Sequence, residues 1–337
     1  LTNTNQNAAF LRNPARDGAI GIDGVYSNPA GVAFLGKGLH ISFNVQNAYQ
    51  TRNINSGLTV LVPAWKDTPF YTPFSLNGGD ANGKKLFKGE ASVPVAPSIQ
   101  AAYNYDNWGF QASFAITGGG GKCTFNDGLG SFERQIAMIP ALLNSQGITS
   151  TTPSYSINSY IYGRQYVFGL QTGATYKFNE HLAVYGGVRF NYIMNKYEGN
   201  ITGISANING TNENLNSYFG TKAEAYNQMA IYYQAQATAT TDQATKAQYE
   251  QISAAYTKAS ETANSTKQQF ADKYLDCDQT GWGITPIIGV DYKWRGLNIG
   301  ARFEFITKVN IQNNTKRDDT GLFKPGVNTP NDLPGLF

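Results

Sequence analysis

At 337 residues the chain has room for one large barrel or two ordinary domains. Charged residues make up 15% and aromatics 13%, with 21 Tyr, 19 Phe and 36 Gly, a balance that fits a membrane barrel better than an average soluble domain. The net charge of +3 is small and dispersed, which argues against a nucleic-acid partner, and no run of about 18 apolar residues is present to make a transmembrane helix.

A mean hydropathy of -0.36 does not speak against a barrel. Strands whose two faces meet lipid and lumen cancel in the average. The start Leu1-Thr2-Asn3 lacks the Met, basic start and apolar core of an export signal and reads as a mature chain. Two cysteines cannot make a disulfide-rich scaffold, but they allow one bridge in an oxidising compartment.

Residues 1–37 show no alternation. They read as turns and short helices rich in Gly, Asn, Pro and Ala, from Leu11-Arg12-Asn13-Pro14 to Asn28-Pro29-Ala30-Gly31-Val32-Ala33-Phe34-Leu35. Irregular backbone at membrane depth is tolerated only inside protein, so the expected placement is a plug within a lumen.

From residue 39 a period of two repeats seven times. Residues 39–46 set Leu39, Ile41, Phe43 and Val45 against His40, Ser42, Asn44 and Gln46. Segments at 97–105 and 108–117 follow, the latter with Trp108, Phe110, Phe114 and Ile116 opposite Gln111, Ser113 and Thr117. The fourth and fifth carry Tyr166 to Phe178 and Leu182 to Tyr192 on their apolar faces. The sixth and seventh carry Trp282 to Trp294 and Leu297 to Phe305. Such alternation predicts strands with one apolar and one polar face.

The strands are at least about ten residues long, as a bilayer crossing requires. Short turns at Asp106-Asn107, Asn179-Glu180-His181 and Arg295-Gly296 alternate with long loops at 53–95, 118–159, 196–280 and 312–332. Each short turn is flanked by aromatics: Tyr103, Tyr105 and Trp108; Tyr176 and Phe178; Tyr292 and Trp294. Short turns on one side, long loops on the other and an aromatic girdle together predict an all-β transmembrane antiparallel β-barrel rather than a soluble sandwich.

Residues 219–273 break the period. Phe219, Tyr226, Ala230, Tyr233 and Ala237, then Tyr249, Ile252, Tyr256, Ala259, Ala263 and Phe270, fall at helical spacing. Two antiparallel helices on an outer loop are expected, with Thr240 and Gln243 as a capping box. They would form a lid on the mouth or a docking site for a protein partner. The end, Asp332-Leu333-Pro334-Gly335-Leu336-Phe337, reads as the start of an eighth strand. Eight strands enclose a lumen wide enough only for side chains, so further carboxyl-terminal strands are expected to be missing.

The stretch Ala19 to Leu35 with Asn28-Pro29-Ala30-Gly31, the stretch Gly118 to Asp127 ending Thr124-Phe125-Asn126-Asp127, and the hairpin Thr280 to Lys308 led by Gly281-Trp282-Gly283 occur in that order. Together they resemble the FadL/TodX outer-membrane transporters of fatty acids and hydrocarbons. The resemblance runs from residue 8 to the carboxyl end. It implies a 14-stranded barrel plugged by a hatch at residues 1–37, with 38–337 as the barrel. Hydrophobic molecules such as long-chain fatty acids would be caught at outer loops and released sideways into outer-membrane lipid, without a cofactor. The side exit would lie at a kinked third strand, matched here by Gly118, Gly119, Gly120 and Gly121. A Gly run weakens strand pairing and permits a bulge, although it also suits a flexible loop start. The helical pair is larger than expected for that family.

Enzyme motifs are lacking: His40 and His181 neighbour no nucleophile elbow, and no Gly-rich phosphate loop precedes a helix. Asp276, Asp278, Asp318 and Asp319 read as surface-loop charge without a calcium-type ligand ladder. Arg189, Arg302 and Glu304 fall on lumen faces, where a brace for the lumen or hatch is favoured over a carboxylate site. Phe10, Leu11, Val25 and Phe34 are expected to line an apolar ligand pocket. Cys123 and Cys277 are both expected at the outer rim, where a bridge would tether the helical pair; free thiols are the alternative. A general porin and a surface interaction protein are the rival functions.

Overall fold

A computed structural model of the chain describes residues 6–148 and 150–319. It is built on one antiparallel sheet of nine strands. β1 (Gly38–Gly57), β2 (Lys84–Tyr105), β3 (Trp108–Phe125), β4 (Tyr155–Lys177) and β5 (Leu182–Ile208) pair in chain order. β6 (Thr211–Asn214) pairs only with β5. β7 (Lys273–Trp294) takes the far side of β5, and β8 (Leu297–Glu304) and β9 (Asn310–Asp318) both pair with the outer edge of β7. Among the described residues no ladder joins β1 to β8 or β9, so the sheet is curled but not a closed barrel.

The three short turns fall where expected. Asp106 and Arg295 adopt positive φ, of 50° and 55°, as tight hairpins with right-handed strand twist require. At the third turn the Asn179 side chain accepts from the His181 and Leu182 amides at 2.8 and 2.9 Å.

The alternation also has the expected sense near these turns. Polar side chains point inward and are buried, such as Gln171 at 1% exposure and Asp291 at 0%, whereas Phe43 at 66% and Trp282 at 59% stand outside. A water-soluble sheet buries its apolar face; this one exposes it over most strands.

The strands do not stop where the alternation first fades. β1 to β5 and β7 run 18 to 27 residues, about twice the length a bilayer crossing needs. The strands therefore run into both ends of the expected loops at 53–95, 118–159 and 196–280, and β9 runs into the start of the one at 312–332. In β2 the sense of alternation reverses across a register shift between Ser92 and Ser98. Above it Phe87, Ala91 and Val93 are buried while Lys88 and Glu90 are exposed; below it Ser98 and Gln100 are buried and Ile99 is exposed. An inserted bulge changes which parity faces inward, and this one coincides with the change of apolar face.

The far ends of the strands close over a hydrophobic core of their own. Phe74, Ile139, Leu143, Tyr155, Ile204, Leu215, Phe219 and Phe270 pack there, contributed by a 3₁₀ turn at Pro73–Asn77, by α3 (Gly130–Ala137) and α4 (Ile139–Ser145), and by the strand and helix ends. The helical insertion comprises α5 (Leu215–Ala239) and α6 (Gln243–Gln269), not 219–273. Asp242, not Thr240, caps α6 by accepting from the Thr245 amide, and Thr240 ends α5.

The hairpin packs through the expected tyrosines, with Tyr233 stacked on Tyr256 at 5.8 Å. Small residues let its helices approach closely. Ser253 and Ser260 are buried and donate to the Ala230 and Ala223 carbonyls, each at 2.8 Å. Beyond its base the pair packs chiefly on itself.

The seventh expected strand, β8, ends at Glu304, one residue short of the expected Phe305, and the pairing with β7 resumes at Asn310. Pro286 supplies the cause. Its carbonyl accepts from the Phe305 amide at 3.0 Å, but it has no N–H to return, and the ladder is broken over 305–309. The expected eighth strand at 332–337 lies outside the described residues.

Candidate functional site inside the curled sheet

Residues 6–37 lie against the polar face of the sheet and touch nearly every strand of it. Their backbone carbonyls are met by side chains. Asn104 donates to Val32 at 2.9 Å, Gln111 to Pro29 at 2.8 Å and Gln171 to Val25 at 2.7 Å. Arg302 donates to Tyr26, Asn298 to Gly18 at 2.9 Å and Gln100 to Gln6 at 3.0 Å. Irregular backbone leaves its carbonyls without helix or ladder partners, and this ring of amides supplies them.

These contacts measure the curl. Val25 and Tyr26 are adjacent, about 3.8 Å apart at Cα. Their carbonyls are nevertheless bonded from β4 and from β8, three strand spacings away in the sheet. Asn28 and Pro29 repeat this with β7 and β3. Three spacings span about 14 Å in a flat sheet, so the strands wrap around this segment.

Of the expected motif, Asn28 is central. Its amide donates to Asp291 at 2.5 Å, and its oxygen accepts from the Gly31 amide at 3.3 Å. A Cβ on Gly31 would meet Asn28 Nδ2 at 2.4 Å, which explains the glycine. Pro29 turns its carbonyl to Gln111, and Ala30 packs with Tyr185 and Ile287. The helical turn α2 (Gly24–Ser27) follows Asp23, which forms a two-pronged pair with Arg16 at 2.6 and 2.8 Å.

The expected apolar pocket is not assembled. Phe10 and Leu11, in the short helix α1 (Ala9–Arg12), are exposed, Leu11 at 77%. Val25 is packed solid with Val32 and Ala102, and the Phe34 ring lies under Lys293 at 5.7 Å. Side chains on three separate turns cannot converge when each turn is pinned to a different strand. A cavity of about 400 Å³ lies beside Tyr26 instead, lined by Thr117, Val167, Arg189, Glu304 and Thr307 among others.

The expected charges do meet here. Arg189 pairs with Glu304, Arg302 approaches the same carboxylate at 3.5 Å, and the two guanidiniums lie 5.3 and 5.0 Å from the Tyr26 ring. This arrangement braces Tyr26 between two cations. Arg189 Nε and Nη1 have no hydrogen-bond partner among the described residues.

Gly118, Gly119, Gly120 and Gly121 lie within β3 and not at the start of a loop. Gly119 and Gly121 have φ of 96° and 63°, and a Cβ on them would lie 2.3 Å from the Gln165 carbonyl and 2.1 Å from Val93. No other residue type fits such positions without strain. Pairing with β4 slips twice over 116–121, and the β2–β3 ladder skips residues 93–97 and 116–121. Pro94 and Pro97 in β2 lack donors for that stretch, so the wall is unladdered on both counts.

Of the two alternatives for Cys123 and Cys277, the structure holds free thiols, and no bridge is formed. Register explains it: Cys123 pairs with Gly163, Gly163 with Tyr197 and Tyr197 with Cys277. Three spacings of about 4.8 Å exceed the reach of a disulfide. Cys277 is buried beside Thr315, whose hydroxyl donates to it at 3.4 Å.

Above the sheet Glu133 is buried at 2% exposure and gathers Lys85 at 2.9 Å, Asn77 at 2.9 Å and Tyr155 at 2.7 Å. Burial, then the neighbouring Glu133 charge, push the Tyr155 hydroxyl well above the usual phenol range. Sequence reading missed this cluster and missed Tyr26, Gln111, Gln171 and Asp291. The last three were visible as the polar members of alternating strands, but not their target. Among the described residues no group of acidic, His or Cys side chains is placed to hold a metal. No protein-family model matches the chain, and no curated protein matches it in sequence.

Proposed function

We propose that the chain forms the hatch and barrel strands of a passive outer-membrane transporter for hydrophobic compounds, of the FadL/TodX kind that its sequence resembles. One observation carries this reading: the sheet exposes its apolar face and buries its polar face around residues 6–37. That distribution is stable where lipid surrounds the protein and costly where water does. Residues 6–37 act as the hatch, held by amides from strand after strand. The unladdered wall at Gly118 to Gly121 supports release of a hydrophobic molecule sideways, because no backbone bonds between β2 and β3 must break there. Long-chain fatty acids suit the cavity at Tyr26, where Arg189 has donors to spare for a carboxylate.

The test uses the full-length protein in lipid vesicles. Transfer of a fluorescent long-chain fatty acid across the membrane should exceed that of protein-free vesicles, while conductance in a planar bilayer stays low. A large open-channel conductance without fatty-acid transfer would favour a general porin. A second reading concerns α5 and α6. The pair packs chiefly on itself and exposes Met229, Ile231 and Tyr232, which favours an additional role as a contact arm for another protein. Deleting its outer part while keeping Leu215, Phe219 and Phe270 should leave transfer intact on that reading and abolish it if the arm captures substrate.

A further inference from the structure

The break between β7 and residues 305–309 has a cavity on each side. Inside lies the cavity of about 400 Å³ beside Tyr26. Outside lies a groove of about 470 Å³, lined by Tyr192, Trp282, Ile284 and Lys308 among others. Val309 borders both. The partition is thin for stated reasons. Gly281 and Gly283 carry no side chains, and a Cβ on either would collide with the Asn310 or Lys308 carbonyl at 2.7 or 2.6 Å. Residues 283–285 of β7 have no ladder partner on this side, because Pro286 interrupts the pairing. Within the partition the Thr285 and Thr307 hydroxyls are hydrogen-bonded to each other.

We propose that this break is a second wall passage, joining the lumen to the membrane for a single-chain anionic amphiphile. The inference rests on the barrel reading above and is separate from the opening at Gly118 to Gly121. Chemistry is matched at the two ends. Each holds a cation beside apolar and aromatic side chains: inside, Arg189, paired with Glu304, lies with Tyr26 and Val167 among the hydroxyls of Thr117, Thr285 and Thr307; outside, Lys308 lies with Trp282 and Ile284. An acyl chain can occupy either wall with its headgroup at either cation. Opening the partition requires the Thr285–Thr307 bond to part and Val309 to turn, with no ladder to unzip.

The hydroxyl contact offers a reversible lock. In the full-length protein carrying Cys123→Ser and Cys277→Ser, Thr285→Cys with Thr307→Cys places two thiols in contact. The proposal expects oxidation to slow transfer of a fluorescent fatty acid severalfold and reduction to restore it. A diazirine-labelled fatty acid should mark peptides from 305–312 in the reduced protein only. Pro286→Thr, which returns the missing N–H, should slow transfer without oxidant. Equal transfer in both redox states, with labelling elsewhere, overturns the passage. If the unsubstituted protein moves fatty acid while the lock changes nothing, the passage fails and the transport reading stands. If the unsubstituted protein moves no fatty acid, the transport reading itself fails.

Discussion

Replacing Ile288 by Arg separates a lipid-facing sheet from a water-facing one. Ile288 is 52% exposed on the apolar face, opposite Gly186 on β5 and Phe303 on β8. A side chain on Gly186 would meet nothing within 4 Å, so the site has room for a long substituent and sterics do not cloud the result. Six residues separate Ile288 from Trp294 at the turn, about 20 Å along a strand. At a tilt of about 40° that is roughly 15 Å of depth, near the middle of an apolar band about 25 Å tall. An Arg there should cost about 2–4 kcal/mol in a bilayer. In water, an exposed substitution stays within about 0.5 kcal/mol. Leu86→Arg is the internal control: Leu86 is 49% exposed in the zone beyond the register shift, where Lys88 and Glu90 already face outward. Guanidinium unfolding of the full-length protein folded into phospholipid vesicles reads both. A loss for Ile288→Arg with little change for Leu86→Arg is expected. Equal, small effects would refute the claim that the outer face at Ile288 meets lipid.

Asn28→Ala removes a charge-assisted bond to buried Asp291, which keeps its bond from Asn298 at 2.9 Å. It should cost about 1.5–3 kcal/mol, visible as faster proteolysis within residues 6–37 and higher planar-bilayer conductance. Glu133→Ala strands Lys85 in the outer core and should cost about 3–5 kcal/mol, read by chemical unfolding. Ser260→Leu forces α5 and α6 apart, and overpacking should lower their stability by about 1–3 kcal/mol, read as earlier thermal loss of far-UV helical signal. Hydrogen bonds from Thr245 hold the Asp242 carboxyl below its ordinary value of 3.8. The cap therefore contributes fully above that value and fades as pH falls through the lowered one; Asp242→Asn should cap α6 without this acid dependence.

The strands near the short turns were legible because the two faces of the sheet differ, alternate residues being apolar and exposed or polar and buried. Phe43, Phe110 and Trp282 announce one face, and Gln100, Gln171 and Asp291 the other. The outer halves were hidden by the reversal. Once Phe87 and Ala91 turn inward and Lys88 and Glu90 outward, a bulge has shifted parity and the run resembles a loop. The ligand pocket was misplaced for a different reason. Phe10 and Leu11 look like pocket residues by type, but their placement depends on which carbonyl each strand amide captures, a long-range choice absent from local pattern. The cysteines illustrate the same limit, since register alone puts Cys123 and Cys277 three strands apart.

If the chain is the barrel proposed above, the exchange of faces along β2 has a consequence for its seating in a membrane. Phe87 and Ala91 are hidden on one side of the switch, and Ile99 and Tyr103 are bared on the other. Sinking the protein by one turn of the pleat would drown Glu90 in hydrocarbon, and lifting it would strand Ile99 and its neighbours in water. On that reading the chain carries its own waterline, drawn by a bulge.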